Sequence, residues 1–357
     1  MRRISWFGLL GLTIAIVAGC AKPAGDSGTQ QQSGSNQDDA TQVVQAGNIT
    51  ILGTRTDLTD RARAKQNVED TLASHKDIGC LVGLWSYNGP AILSAVKDAG
   101  LEGKVPIVCF DEEDDTLQGV LDGHIHATVV QQPFEFGYQS VKVLAALAQG
   151  DKSVIPPSKN IIVPVQVIRK ENARAFWDNL KKLRAEADRP APVGDGKIKL
   201  AFVTNNPSDF WKIAHAGVRK AEAELGISVE FLTPTEGVAD QQRMVEALIA
   251  KRISGMAISP NDPENQVEMI NRACEVMNVI CHDSDAPKSN RLCYIGTHNY
   301  LAGREAGKLI REVLPNGGKI MLFVGRIDAQ NAKERRQGII DELKGAPIPE
   351  DVKALGG

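Results

Sequence analysis

Two short stretches of this chain place a carboxylate at the same point of the same pattern. Ile107-Val108-Cys109-Phe110-Asp111 and Val279-Ile280-Cys281-His282-Asp283 are apolar runs with Cys two residues before Asp, and each is followed by further acidic residues. In open α/β sheets, ligands bind beyond the carboxyl ends of the strands. Two such sheets facing each other would set Asp111 and Asp283 on opposite walls of one cleft. Carboxylates so placed can accept hydrogen bonds from the hydroxyls of a polyol, or serve as acid and base in glycoside hydrolysis. No G-x-S-x-G elbow, Walker A loop or H-E-x-x-H helix accompanies them, so the chemistries built on those motifs have no foothold here. His124 and His126 stand two apart and read as edge residues rather than a ligand pair.

The elements that must position these groups alternate along the chain. Strands are predicted at Ile49–Gly53, Cys80–Leu84, Pro106–Phe110, Ala127–Val130, Ile161–Val167, Lys199–Val203, Val229–Leu232, Gly255–Ile258, Val279–Cys281 and Lys319–Val324. Most are continuous apolar runs, the mark of parallel strands covered on both faces. Helices fall between them. Pro90 and Gly100 bracket Ala91–Ala99, while Ile213, Val218, Ala221 and Leu225 form one face of another helix ended by Gly226. Repeated βα units imply an α/β fold with mainly parallel sheets.

At 357 residues the chain has room for two domains. Lys and Arg total 41 against 44 Asp and Glu, with no basic block, which argues against nucleic acid as a partner. Arg2 and Arg3 precede an apolar run from Trp6 to Ala18 that has the form of a signal peptide. It closes on Val17-Ala18-Gly19-Cys20, similar to the lipobox of bacterial lipoproteins. The similarity implies cleavage after residue 19, lipidation of Cys20, and export with attachment to a membrane surface. Residues 20–47, rich in Gly, Ser, Gln and Asp, read as a flexible tether. No C-x-x-C spacing occurs, and Cys80, Cys109 and Cys281 lie in apolar runs, so buried free thiols are expected and zinc is not.

Lys197–Trp211 (KIKLAFVTNNPSDFW) resembles the opening of the ribose-type periplasmic binding proteins, the sugar-capturing subunits of ABC importers. The segment from Asn48 to about Leu183 resembles the closing half of that family. The two halves stand in swapped order, so the resemblance implies a circular permutant. It implies two Rossmann-like lobes with parallel sheets joined by a hinge, the type I periplasmic binding protein fold. One lobe would comprise 48–131, 161–184 and 299–357; the other, 132–160 and 197–298. A Pro- and Gly-rich linker at 185–196 would join the old termini, and Gly357 would lie near Asn48.

The resemblance also assigns contacts to a sugar. Asn206, Phe210 and Trp211 follow the first strand of one lobe, and Asp283 is the strand-end carboxylate. Ser284-Asp285 stands where ribose binders often carry Arg, so ribose itself is not implied, and Asp285 joins the candidates. Arg335 matches a ring-contacting Arg, with Arg336 beside it as the other possibility. Trp85 and Asn88 occupy the loop where relatives place an Asn. Asp111 matches the family's Phe-Asp carboxylate and Gln131 a hinge-side Gln. The implied role is capture of a monosaccharide (pentose, hexose or polyol) by a monomer without cofactor, for a permease on another chain. Two alternatives remain: a sugar-sensing lipoprotein serving a chemoreceptor or sensor kinase, and a glycosidase. A lac-repressor-like regulator would need a DNA-binding helix-turn-helix where this chain has an export signal.

Overall fold

The computed structural model describes residues 42–188, 190, 194 and 196–354. Cys20, the signal segment, most of the tether and Gly357 lie outside them. In chain order the strands are β1 (Val44–Ala46), β2 (Ile49–Thr56), β3 (Ile78–Gly83), β4 (Ile107–Phe110), β5 (Ala127–Val130), β6 (Asn160–Ile162), β7 (Gln166–Ile168), β8 (Lys199–Val203), β9 (Ser228–Leu232), β10 (Gly255–Ile258), β11 (Asn278–His282), β12 (Tyr294–Gly296) and β13 (Gly318–Val324). The helices are α1 (Arg61–Ser74), α2 (Asn88–Asp98), α3 (Asp114–Asp122), α4 (Pro133–Ala148), α5 (Lys170–Ala187), α6 (Asp209–Leu225), α7 (Val238–Lys251), α8 (Val267–Cys274), α9 (Asn299–Val313), α10 (Gln330–Lys344) and α11 (Glu350–Lys353).

Among the described residues the strands form two sheets. The first has seven strands in the order β1-β2-β13-β3-β4-β5-β7, and the second six in the order β6-β12-β11-β10-β8-β9. Pairing is parallel except for β1 with β2 and β5 with β7. Helices cover both faces, so β4, β5 and β10 are buried at every position, as their unbroken apolar runs require. Cys80, Cys109 and Cys281 are buried free thiols within these sheets. β2 and β13 are parallel neighbours, Gly318 opposite Ile49, although they come from opposite ends of the described chain.

The chain passes between the sheets at four places: from β5 to α4, from β6 to β7, from β12 to α9, and from α5 to β8. The first two are tied side by side. Gln132 Nε2 donates to Pro164 O at 2.7 Å, and Gln166 Nε2 donates to Gln132 Oε1 at 3.0 Å.

Three expectations need correction. The single strand at Ile161–Val167 is two strands in different sheets. Pro164 lies between them and has no N–H to extend a ladder, so the chain leaves one sheet there and enters the other. The end of the tether is not free, because β1 pairs with β2 and buries Ala46 after a turn at Gly47, φ 60°. The stretch expected as linker from residue 185 is helical to Ala187, which is buried.

Each sheet is flanked by a helix pair that crosses with almost no space. A Cβ at Gly137 of α4 would run into the Ala214 carbonyl of α6, and one at Gly217 into the Phe134 carbonyl. The other sheet repeats this with α9 and α10: a Cβ at Gly303 would strike Arg335 O, and one at Gly338 would strike Tyr300 O. Backbone cannot yield as a side-chain tip can, so overpacking there is costly. Gly303→Ala is expected to lower stability by about 2 kcal/mol or more, read by urea denaturation. A loss below about 0.5 kcal/mol would show that the crossing can widen freely.

Candidate functional site

β4 ends at Asp111 and β11 at Asp283, and the two aspartates are held alike. Each adopts left-handed backbone, φ 65° and 57°, unusual for a residue with a Cβ and typical of sites under constraint. Asp111 N–H donates to Val129 O at 2.9 Å and Asp283 N–H to Ile295 O at 3.2 Å, each across to the next strand of its sheet.

On the first wall, Gln131 Nε2 donates to Asp111 Oδ1 at 3.0 Å, and Arg335 Nη1 lies 3.9 Å from Oδ2. Arg335 projects from α10 and is 2% exposed. Its Nε donates to Asn299 Oδ1 at 3.0 Å, its Nη1 to Leu84 O at 2.7 Å, and its guanidinium sits 4.6 Å from the Phe110 ring centre. A charge this deep survives only with such partners. Arg336 points elsewhere, donating to Thr54 Oγ1 at 3.2 Å. Asn88, also buried, accepts from Trp85 N–H at 3.0 Å and donates to Asp57 Oδ2 at 3.1 Å. Tyr87 hydroxyl takes the other Asp57 oxygen. Trp85 is half-buried, its Nε1 donating to Asn331 Oδ1 at 3.1 Å.

The second wall is organised by a residue the sequence reading passed over. Asn205, at the end of β8, donates through Nδ2 to Ser259 Oγ at 3.1 Å and to Asp283 Oδ2 at 3.5 Å. It accepts from Trp211 Nε1 at 3.1 Å and from Asn206 Nδ2 at 2.8 Å. Ser259, likewise missed, donates to Asp283 Oδ2 at 3.1 Å. The Asn-Asn-Pro signal was visible, but nothing in it says which Asn turns inward. Asn206 is exposed, and Trp211 is a core side chain, edge-on to Phe202 and His282. Phe210 is half-buried with its ring edge-on to Trp211. Asp285 is gripped by Arg291, which also reaches Lys159 O, so its carboxylate holds the loop after β11 to the edge near β6.

The charge of the first wall reaches the second. Burial pushes the Asp283 carboxyl up to about 6; Ser259 and Arg335 oppose this, and the Asp111 charge adds to it. Burial raises Asp111 as well, against the pull of Arg335 and Gln131. Beside Asp111 lies a cavity of about 470 Å³, walled by residues 111–115, Arg61, Ser86 and Arg184 on one side and by Pro207–Phe210 and Ile213 on the other. Of the candidate contacts it touches Asp111 and Phe210. Among the described residues, no group of His, Cys, Asp or Glu is placed to hold a metal ion.

The sequence pattern of the periplasmic binding protein domain matches residues 13–152 and 200–356. The ribose import binding protein RbsB of Salmonella typhimurium is 28% identical over 159 residues, 44% of this chain and 52% of that protein. RbsB of Haemophilus influenzae is 31% identical over 145 residues, 40% and 48% of the two chains. This chain thus spans about half the length of the curated relatives it matches. Among solved structures, a solute binding protein of an ABC transporter from Burkholderia graminis, in complex with D-arabinose, is 29% identical. The match covers 44% of this chain and 55% of that one, with a TM-score of 0.40.

A carboxyl that folding lifts from 3.8 to about 6 binds its proton more tightly in the folded chain. Stability from Asp283 is therefore present at low pH and lost as pH rises through that window. Asp283→Asn is expected to raise the melting temperature at pH 7.5, with the gain shrinking between pH 6 and 4 and gone below. Parallel melting curves for the two proteins across pH would contradict this.

Proposed function

Because the chain belongs to the periplasmic binding protein family, we propose that it captures a monosaccharide, a pentose, hexose or polyol, in the cleft between its sheets. Delivery would be to the permease of an ABC importer. Membership in this family carries a non-catalytic role, so the carboxylates act as hydrogen-bond acceptors and not as acid and base. The observation that carries the reading is the pair Asp111 and Asp283, each in left-handed backbone just past a strand of a different sheet, with buried Arg335 3.9 Å from the first. Such groups suit a ligand that offers several hydroxyls at once. The ribose import proteins to which this chain is similar support the substrate class. Asn206, Trp85 and Gln131 remain proposed contacts beside Asn205, which we add.

We further propose that the halves stand in permuted order. Two separate matched segments and the parallel pairing of β2 with β13 support this. An extracytoplasmic location is consistent with the fold. Lipid attachment at Cys20 is proposed from the Val17-Ala18-Gly19-Cys20 signal, and mass spectrometry of the mature N-terminus would decide it.

Titration with pentoses, hexoses and polyols is expected to raise the melting temperature and change the emission of Trp85, Trp177 or Trp211. Asp111→Ala removes hydrogen bonds worth about 1.5–3 kcal/mol each to a charged group, so binding should weaken at least tenfold. Wild-type affinity in that variant would place Asp111 outside the site. A chain rejoined from Gly357 to Val44, so that β1 is kept, and opened between 188 and 196 should keep its melting temperature within a few degrees, because loop-closure costs change by only about 0.6 kcal/mol per doubling of length. Failure of the rejoined chain to fold would favour a fusion of two half-proteins instead.

A further inference from the structure

Asp111 opens a run of five acidic residues, Asp111–Asp115, that forms one wall of the 470 Å³ cavity. Most of that wall is accounted for. Arg61 grips Glu113 through two hydrogen bonds of 2.9 and 2.7 Å. Arg184 Nη1 and Trp177 Nε1 both donate to Asp114 Oδ1, at 2.8 and 3.0 Å. Asp115 is exposed and, like Asp114, sits in the first turn of α3, where the helix dipole favours negative charge. Asp209 on the facing wall has Lys212 at 3.0 Å.

Glu112 is different. It is 5% exposed, it lines the cavity, and its buried Oε2 has no hydrogen-bond partner. Burial and the neighbouring Asp111 hold its carboxyl well above the ordinary range, with Arg184 pulling the other way. Arg184 already spends Nη1 on Asp114, and its own Nε is unpartnered. Both guanidiniums lining the cavity thus donate to other carboxylates, while Glu112 Oε2 receives no hydrogen bond. A buried polar atom without a partner costs free energy until something supplies the missing bond. Six lining carboxylates against two guanidiniums would repel an acidic sugar and attract a cation. Asp111 in the same wall suits hydroxyl donors, so an organic cation that also carries hydroxyls matches this lining.

We infer that Glu112 determines specificity and that the ligand is a polyhydroxylated amine, in the simplest case an amino sugar, whose ammonium enters this cavity while its hydroxyls meet Asp111 and Asp283. The inference rests on the sugar-binding reading above. It leaves Glu112 ionised against the ammonium in the complex, a charge-assisted pair in a dry wall.

Calorimetric titration at pH 7.5 with galactosamine, galactose and N-acetylgalactosamine, and with the corresponding glucose series, tests it. The N-acetyl sugars keep the nitrogen and lose the charge. The free amine is expected to bind at least tenfold tighter than both neutral forms in one series. In Glu112→Gln that ratio should fall to about one, while the variant melts no lower than wild type because a buried ionisable group has gone. Neutral sugars binding as tightly as the amines would overturn the inference and leave the sugar-binding reading standing. A ratio that persists in Glu112→Gln would remove Glu112 from the recognition of the amine. If none of these sugars binds but a pentose or polyol does, this inference falls alone; if the pentoses, hexoses and polyols titrated above are silent as well, the sugar-binding reading fails and takes this inference with it.

Discussion

Two desolvated carboxylates, one past a strand of each sheet, share one buried guanidinium as the charge that opposes the effect of their burial. Asp111 and Asp283 repel across the cleft, and Arg335 is the group that moderates both. Much of the surrounding architecture holds this arrangement in place. Leu84 O, Asn299 and the Phe110 ring fix Arg335, and Asn205 with Ser259 supports Asp283 from behind. Both aspartates sit in left-handed backbone that only a well-supported strand end can maintain. A cleft built this way is costly when empty, and a ligand offering hydroxyls or positive charge relieves the cost.

The support has the same form on both sides. Glycines lie against the partner helix's backbone where α4 crosses α6 and where α9 crosses α10. In the second pair the crossing is also where Arg335 is set, since its own carbonyl is the atom that Gly303 accommodates. The backbone from which Arg335 projects is thus set by contact between two main chains, and the guanidinium is then held by Leu84 O, Asn299 and the Phe110 ring.

Strands buried on both faces were legible from their residues alone: β4 and β10 are apolar throughout, and β5, β8 and β11 carry apolar runs broken only by Thr128 or by polar end residues. β12 was not, because Tyr294-Ile295-Gly296 is too short to show a period. β6 and β7 were fused because Ile161–Val167 is apolar on both sides of Pro164, and only the presence of two sheets separates them. At the site, residue types were readable and orientations were not. Arg335 and Arg336 are neighbours on a helix and so diverge by about 100°; burial, not spacing, selects the first. Trp211 and Phe210 are both aromatic, yet one fills the core and the other reaches the cavity. Glu112 within an acidic run looks like part of a solvated face until its burial is known.

The neighbours of β2 bear on how the molecule can come into being. Asn48 Nδ2 donates to Pro315 O across 267 residues, and β13 stands between β2 and β3 in the first sheet. Among the described strands β13 comes last in the chain, so the block β1-β2 and the block β3-β4-β5-β7 can join into one sheet only once it is present. Long-range pairing of this kind slows folding. It also makes the protein intolerant of truncation: a product ending before Gly318 would lack the strand that joins β2 to β3, and with it Arg335.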